Sequence, residues 1–312
     1  MRQTKTAILI SSGAAIVALM AFIQRDTLSE FIAQLHLGWT LIALITLALA
    51  NLSMAIAFGI ISAIKSTQHV SSLTFAAVYL LAQASKYLPG KVWPIAAQMI
   101  YLHGRAEKTT IAVGNIETAL VSLAVTTATG VGMLCYVQYS KTLGVSVVIV
   151  GVTVGWLIGR SPILKKIIHK IISRARSEQL EPRTASPALN APAGALFSSV
   201  SAFTFFYIMG WCSFVGLAIG HDLDTTLRLV GLMSISHVVG VLSLMPAGIG
   251  TRELSMVALA AIFGLDVSLA SAVAVMTRIM LLAIDGTGII FGAFILNWIP
   301  GLSENRGQNG EP

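Results

Sequence analysis

The chain is a succession of long apolar stretches separated by short polar breaks. Six of these stretches are uninterrupted: 6–23, 39–61, 111–137, 144–159, 195–219 and 268–299. A helix needs about 20 apolar residues to cross a bilayer, and a somewhat longer helix crosses it at a tilt. The pattern therefore predicts an all-α polytopic membrane protein with about six full spans, folded as a single integral membrane domain over residues 1–312.

Two further apolar regions, 71–103 and 229–263, are interrupted by polar segments that break helices. The breaks read SKYLPGKVWP (85–94) and MPAGIGTRE (245–253). Proline cannot continue a helix, and unpaired backbone at membrane depth is tolerated only within protein or beside water. We therefore predict two re-entrant helical hairpins whose tips line a cavity.

The two breaks occupy matching places in the chain. Pro89 lies 28 residues after the span 39–61 and 22 before the next span, and Pro246 lies 27 and 22 residues from its neighbours. The preceding spans run in opposite directions, so the halves 39–159 and 195–300 are related by inversion. Gly/Pro-interrupted segments in corresponding positions of inverted halves indicate the binding site of a transporter.

Composition and charge support a membrane protein and suggest its orientation. Of the 312 residues, 55% are hydrophobic and 11% charged, whereas soluble domains have about 45–50% and about 25%. If both hairpins return to the side they entered, thirteen Lys and Arg residues fall on one side and three on the other. The positive-inside rule then places both termini, the basic linker 160–194 and the tail 301–312 in the cytoplasm.

Positive charge accompanies both breaks. Lys86 and Lys91 flank the first break, and Arg252 follows the second, where Glu253 falls in the first turn of the next helix. Helix N-termini attract anions, so the tips together predict a site for a phosphate or a carboxylate. The alternative is a structural turn whose lysines extend to the membrane interface. Thr251 is the expected N-cap of the second helix.

Three charged residues lie within predicted spans: Glu117, Arg278 and Asp285. Ionisable groups at such depth are usually paired or functional. One interpretation is a structural ion pair, either Glu117 with Arg278 or Arg278 with Asp285. The other is a site for a proton or for the substrate.

Signatures of catalysis are missing from the sequence. It has no P-loop, H-E-x-x-H, G-x-S-x-G, Cys/His metal cluster or dinucleotide fingerprint, and such motifs mark the common catalytic and cofactor sites. We therefore expect no enzymatic activity, no catalytic residue, no metal, no cofactor and no nucleic-acid partner.

The two motifs in order, SKYLPGKVWP followed by Glu117 and MPAGIGTRE followed by the arginine of AVMTRIM, resemble the lysylphosphatidylglycerol synthase transmembrane-region family, which is also described as flippase-like. The resemblance covers roughly residues 5–300. It implies a multi-pass protein of the bacterial or archaeal cytoplasmic (inner) membrane with re-entrant segments. By position it carries the family's motif residues over to Lys86, Pro89, Gly90, Glu117, Pro246, Gly248, Gly250, Arg252, Glu253 and Arg278.

Members of that family that are fused to an aminoacyl transferase move aminoacylated phosphatidylglycerol between leaflets. This chain has no room for the transferase, so we do not expect the synthesis activity. A different substrate, such as a polyprenyl-linked sugar or a hopanoid, is then open.

The leading hypothesis is a lipid flippase or lipid transporter for an anionic lipid or a polyprenyl-linked substrate. Its head-group site comprises both tips: Lys86, Pro89, Gly90, Lys91, Trp93, Pro246, Gly248, Gly250, Arg252 and Glu253. The alternatives are a carrier for a small soluble anion, a membrane-embedded head-group transferase using Glu117, Glu253 or Asp285, and a non-transporting partner of a synthase or glycosyltransferase.

Overall fold

The structure is a computed structural model that describes residues 35–66, 70–88, 92–160, 193–243, 246–248 and 250–298, together with residues 29, 32 and 33. Its described elements are all helical. They are α1 (Leu37–Lys65), α2 (Ser72–Ala82), α3 (Trp93–Tyr101), α4 (Lys108–Gln138), α5 (Lys141–Arg160), α6 (Ala193–Cys212), α7 (Leu223–Leu242), α8 (Thr251–Ile262) and α9 (Val267–Trp298). Within these ranges the all-α prediction is confirmed.

Six described helices are long and apolar enough to cross a membrane. Five match predicted spans: α1, α4, α5, α9, and α6 extended by a π-helical turn, Ser213–Ala218. The predicted span 6–23, the tail 301–312 and most of the linker 160–194 lie outside the described residues. The sixth long helix, α7, is the first leg of the second broken region. It begins at Leu223, before the predicted boundary at 229, and its 20 residues are a full membrane length.

The two broken regions therefore differ in the length of the helix that precedes the break. In the first, α2 has only 11 residues and continues as a 3-10 helix, Gln83–Tyr87, before the break. In the second, the long α7 is followed by a short 3-10 turn, Pro246–Gly248. Helix breaks occur where proline and glycine predicted them. The re-entrant course of both regions and the inverted repeat stay predictions.

The helices that follow the breaks begin close to the predicted residues. Pro94 lies in the first turn of α3, where its missing N–H is harmless. The N-cap of α8 is Gly250, so the prediction of Thr251 was wrong by one residue. The Gly250 N–H donates to the Glu253 carboxylate at 2.7 Å, and the Thr251 hydroxyl contacts Ser243 instead, at 3.0 Å. The first-turn position of Glu253 is confirmed.

The two halves pack against each other through several pairs of helices. Helix α1 lies against α6, α4 against α7, and α2 against α9. The α4–α7 contact depends on Gly130 and Gly231, because a Cβ at Gly130 would lie 3.0 Å from the Gly231 carbonyl oxygen. This interleaving brings the 3-10 helix of the first break into contact with the 3-10 turn of the second.

Candidate functional site

The second break is held in place by Arg278 of α9. Its Nε donates to the Glu253 carboxylate, and its Nη1 donates to the Ala247 carbonyl oxygen at 2.8 Å. Ala247 adopts a left-handed backbone conformation, with φ 47°, which side chains other than glycine rarely occupy. Arg278 therefore stabilises a turn that the chain would not favour by itself.

The same turn also requires Gly248. Its φ is +67°, and a Cβ at this position would lie 2.8 Å from the Cα of Gly240 in α7. Only glycine satisfies both conditions. Gly248 thus lets the turn lie directly against the end of α7.

The first break is attached to α9 as well, two turns further along. The Lys86 ammonium donates to Asp285 Oδ1 at 2.7 Å, and the Tyr87 hydroxyl donates to Oδ2 of the same carboxylate. The Asp285 side chain is only 6% exposed, whereas that of Lys86 is 31% exposed. Helix α9 therefore uses Arg278 to position the second break and Asp285 to position the first.

The ion pairs proposed from the sequence were wrong. Arg278 pairs with Glu253, Asp285 pairs with Lys86, and Glu117 pairs with Lys65 at the end of α1. Seven residues along a helix span about 10 Å, so Arg278 and Asp285 share a face without touching. A charge inside a span is neutralised by the neighbouring helix that packs against it.

Arg252 is the exception among these buried charges. It is 6% exposed, and its side chain makes no hydrogen bond or ion pair within the described part of the chain. A buried cation without a carboxylate is costly, and it is commonly compensated by a ligand of opposite charge. Arg252 therefore presents a buried positive charge that no carboxylate of the described residues compensates.

Two cavities open beside this guanidinium. The larger has a volume of about 470 Å³ and is lined by residues of α1, α2, α3, α4, α6, α7, α8 and α9. The smaller has a volume of about 230 Å³ and reaches the second break. They share one wall, which consists of Lys86, Pro94, His237, Val241, Arg252 and Leu281. Positive charge is thus concentrated where the cavities meet.

Several residues predicted for the site are brought together by the fold. Lys86 and Arg252 line both cavities, Gly248 and Arg278 line the smaller, and Asp285 lines the larger. Glu253 acts through Arg278. His237 of α7 also lines both cavities.

Other predicted residues are not at the cavities. Trp93 is exposed at the start of α3, and Gly250 is exposed at the cap of α8. Glu117 of α4 pairs with Lys65, which ends α1. None of these three lines either cavity. Pro89, Gly90 and Lys91 lie outside the described residues, as does the side chain of Pro246.

Sequence reasoning missed the uncharged polar lining of the larger cavity. Asn115, Thr118, Ser122 and Thr126 all line it from α4. Their spacing of three, four and four residues places them on one face of the helix. That spacing was a readable signal, because few polar residues occur in spans without a reason.

These features define the class: a helical multi-pass membrane protein whose two broken segments meet at a buried cationic cavity. More particularly, the chain belongs to the family described as the lysylphosphatidylglycerol synthase TM region, whose model matches residues 6–286. The resemblance noted from the two motifs is thereby confirmed. No curated protein matches the chain.

Proposed function

We propose that the protein is a lipid flippase or lipid transporter that moves an anionic phospholipid or lipid-linked precursor between leaflets. The observation that carries the proposal is Arg252, a buried cation without an anionic partner in the described structure, on the wall shared by both cavities. A phosphate group supplies the missing charge. Arginine suits this role because its guanidinium can donate two parallel hydrogen bonds to one phosphate.

The lining of the larger cavity supports a lipid as the substrate. It combines the cationic wall with apolar side chains such as Leu47, Met54 and Phe203. Ligand sites commonly measure about 300–1,000 Å³ and are mostly apolar with a few placed polar groups. A cavity of about 470 Å³ suits a head group, while the acyl chains remain in the bilayer.

The state of the carboxylates favours transport over chemistry. An embedded transferase would use Glu117, Glu253 or Asp285 as its acid or base, yet each is held in an ion pair. A carboxylate whose oxygens already contact a cation is not positioned to accept a proton from a substrate. We therefore propose movement of an intact lipid and no bond rearrangement.

The charge bias of the sequence supports the proposed location. The bias of thirteen cationic residues against three favours a cytoplasmic position for both termini and for the linker 160–194. Together with the family, it supports the cytoplasmic membrane of a bacterium or archaeon.

The test is translocation of acyl-labelled fluorescent phosphatidylglycerol in proteoliposomes, read by quenching of the outer leaflet. Arg252→Met retains the apolar stem and removes the charge, so we expect the protein to fold and transport to fall at least tenfold, as for loss of a charged hydrogen bond of about 1.5–3 kcal/mol. Arg252→Lys restores the charge without the paired donors and should recover only part of the rate.

The matched control is Arg228→Met, because Arg228 is a half-buried cation that pairs with the exposed Asp224 on α7 and lines neither cavity. Normal transport by Arg252→Met would overturn the assigned role. Uptake of soluble phosphate compounds without any movement of lipid would favour the small-anion carrier.

A further inference from the structure

The two ion pairs that attach the breaks to α9 differ in how tightly their cation is held. Arg278 has two partners, because its Nε donates to Glu253 and its Nη1 donates to the Ala247 carbonyl oxygen. The Lys86 ammonium carries three N–H donors, of which one donates to Asp285 in the described structure, at 2.7 Å. The Lys86 ammonium therefore has donors left for a ligand, whereas Arg278 is fixed in place.

The surroundings of the two cations differ in the same direction. The Lys86 side chain is 31% exposed, and that of Arg278 is 10% exposed. Lys86 lines both cavities and belongs to the wall that also contains Arg252. An anion that contacts Arg252 from either cavity is thus beside a lysine that can reach it.

The backbone at Lys86 allows the ammonium to move. Lys86 lies in the 3-10 helix Gln83–Tyr87, none of whose residues is buried. The hydrogen bonds of a 3-10 helix have poorer geometry than those of an α-helix, and a lysine carries its charge on a flexible four-carbon stem. The ammonium can therefore change partner without the rearrangement of a packed helix.

Asp285 retains a partner when Lys86 leaves it. The Tyr87 hydroxyl donates to Asp285 Oδ2, while Lys86 donates to the other oxygen, Oδ1. A buried carboxylate without any donor is costly, and the Asp285 side chain is buried. The Tyr87 hydroxyl thus lowers the cost of separating Lys86 from Asp285.

We propose that Asp285 is the counter-anion of the empty site and that Lys86 leaves it for a bound anion. In the empty protein, Lys86 attaches the first break to α9. When an anion contacts Arg252, the ammonium turns to the anion and Asp285 keeps the Tyr87 hydroxyl. Occupancy then connects the first break to the residue that follows the second break. The inference rests on the proposed function, because it describes how the same site responds to its substrate.

The experiment is calorimetric titration of the purified protein in detergent with dihexanoyl-phosphatidylglycerol, a short-chain lipid. Asp285→Asn removes the competing charge and keeps nearly the same shape, so we expect the Kd to fall about two- to tenfold, the scale of one hydrogen bond. Tyr87→Phe should raise the Kd by a similar factor, because Lys86 would then leave a carboxylate without a donor. The two partners in one contact thus have effects of opposite sign.

A double-mutant cycle separates this exchange from plain repulsion between Asp285 and the anion. In a Lys86→Met background, Asp285→Asn should lose most of its effect, since no ammonium remains to be released. In an Asp285→Asn background, Tyr87→Phe should leave the Kd unchanged. Tyr87→Phe keeps the ion pair itself, so its test stands even where the charge variants fail to fold.

The matched control is Asp224→Asn, which removes the exposed partner of Arg228 and lines neither cavity. Its Kd should equal that of the unmodified protein.

Three results would overturn the inference and leave lipid transport standing. They are an unchanged or weaker affinity in Asp285→Asn, an equal gain with and without Lys86, and an unchanged affinity in Tyr87→Phe. If the unmodified protein does not bind the short-chain lipid, the proposed function fails instead. The same variants are then titrated with glycerophosphoglycerol: the expected pattern of Kd values would support the exchange for an anion from a soluble source, and no binding would overturn it as well.

Discussion

Replacing Glu253 by alanine is the sharpest test of how the second break is held. The Glu253 carboxylate makes two contacts: it accepts from Arg278 Nε and from the Gly250 N–H, the latter at 2.7 Å. Arg278 lines the smaller cavity, and Gly250 is the exposed cap of α8. The substitution therefore removes an ion pair and the cap of α8 at once, while Arg278 stays in place.

The size of the effect follows from burial. The side chains of Arg278 and Glu253 are 10% and 16% exposed, so water cannot replace the lost partner well. Breaking a buried pair from one side costs about 3–5 kcal/mol in soluble proteins. Arg278 already has one buried nitrogen, Nη2, without a hydrogen bond in the described structure, which leaves it little capacity to find another partner.

The assay is reversible unfolding in detergent, followed by tryptophan fluorescence. The control is Asp224→Ala on α7, which removes the exposed acidic partner of Arg228, four residues away on the same helix. Helix pairs of this spacing at the surface contribute about 0.3–0.5 kcal/mol.

A double variant, Glu253→Ala with Arg278→Ala, should recover part of the loss, because it no longer leaves a buried charge alone. The reasoning fails if Glu253→Ala costs no more than Asp224→Ala, or if the two losses in the double variant simply add.

Two further predictions concern single positions. Gly264 has φ +68° and open space around it, so Gly264→Ala should lower the unfolding free energy by about 1–2 kcal/mol through the left-handed backbone alone. Gly248→Ala should cost more, because its Cβ would also lie 2.8 Å from the backbone of α7. Equal losses of unfolding free energy in the two variants would contradict the close contact at Gly248. The Thr225 backbone N–H donates to the carboxylate of Asp222, the N-cap of α7, and holds the pKa of that carboxyl below its usual value. The stabilisation of α7 by this cap is therefore present at neutral pH and is lost as the pH falls through the lowered pKa. Hydrogen exchange of the first turn of α7 should show this acid dependence, and Asp222→Asn should abolish it.

The spans and the breaks could be predicted from the sequence because each is a local property. The length of an apolar run determines whether a helix can cross a bilayer, and proline with glycine determines where it breaks. The predicted span 39–61 lies within α1, and the predicted break at Pro246 is a 3-10 turn. The early start of α7 was missed because the polar residues at its first turn, with Asp222 as the cap, interrupt the apolar run.

The partners of the buried charges could not be predicted, because they depend on which helices pack together. Sequence spacing placed Arg278 and Asp285 on one face but could not show that one contacts Glu253 and the other Lys86. The importance of Arg252 was predicted from its place after a break. Its lack of a carboxylate partner appeared only in the fold, since a neighbouring glutamate, Glu253, is committed to Arg278.

The wall shared by the two cavities has a consequence for stoichiometry. One guanidinium, that of Arg252, lines both cavities. An anion that binds it from one cavity neutralises the charge that would attract a second anion into the other cavity. On the proposed function, each molecule then carries one substrate at a time and its transport rate saturates without cooperativity. An anionic compound that fills only the smaller cavity would inhibit competitively, although it never enters the space that holds the lipid head group.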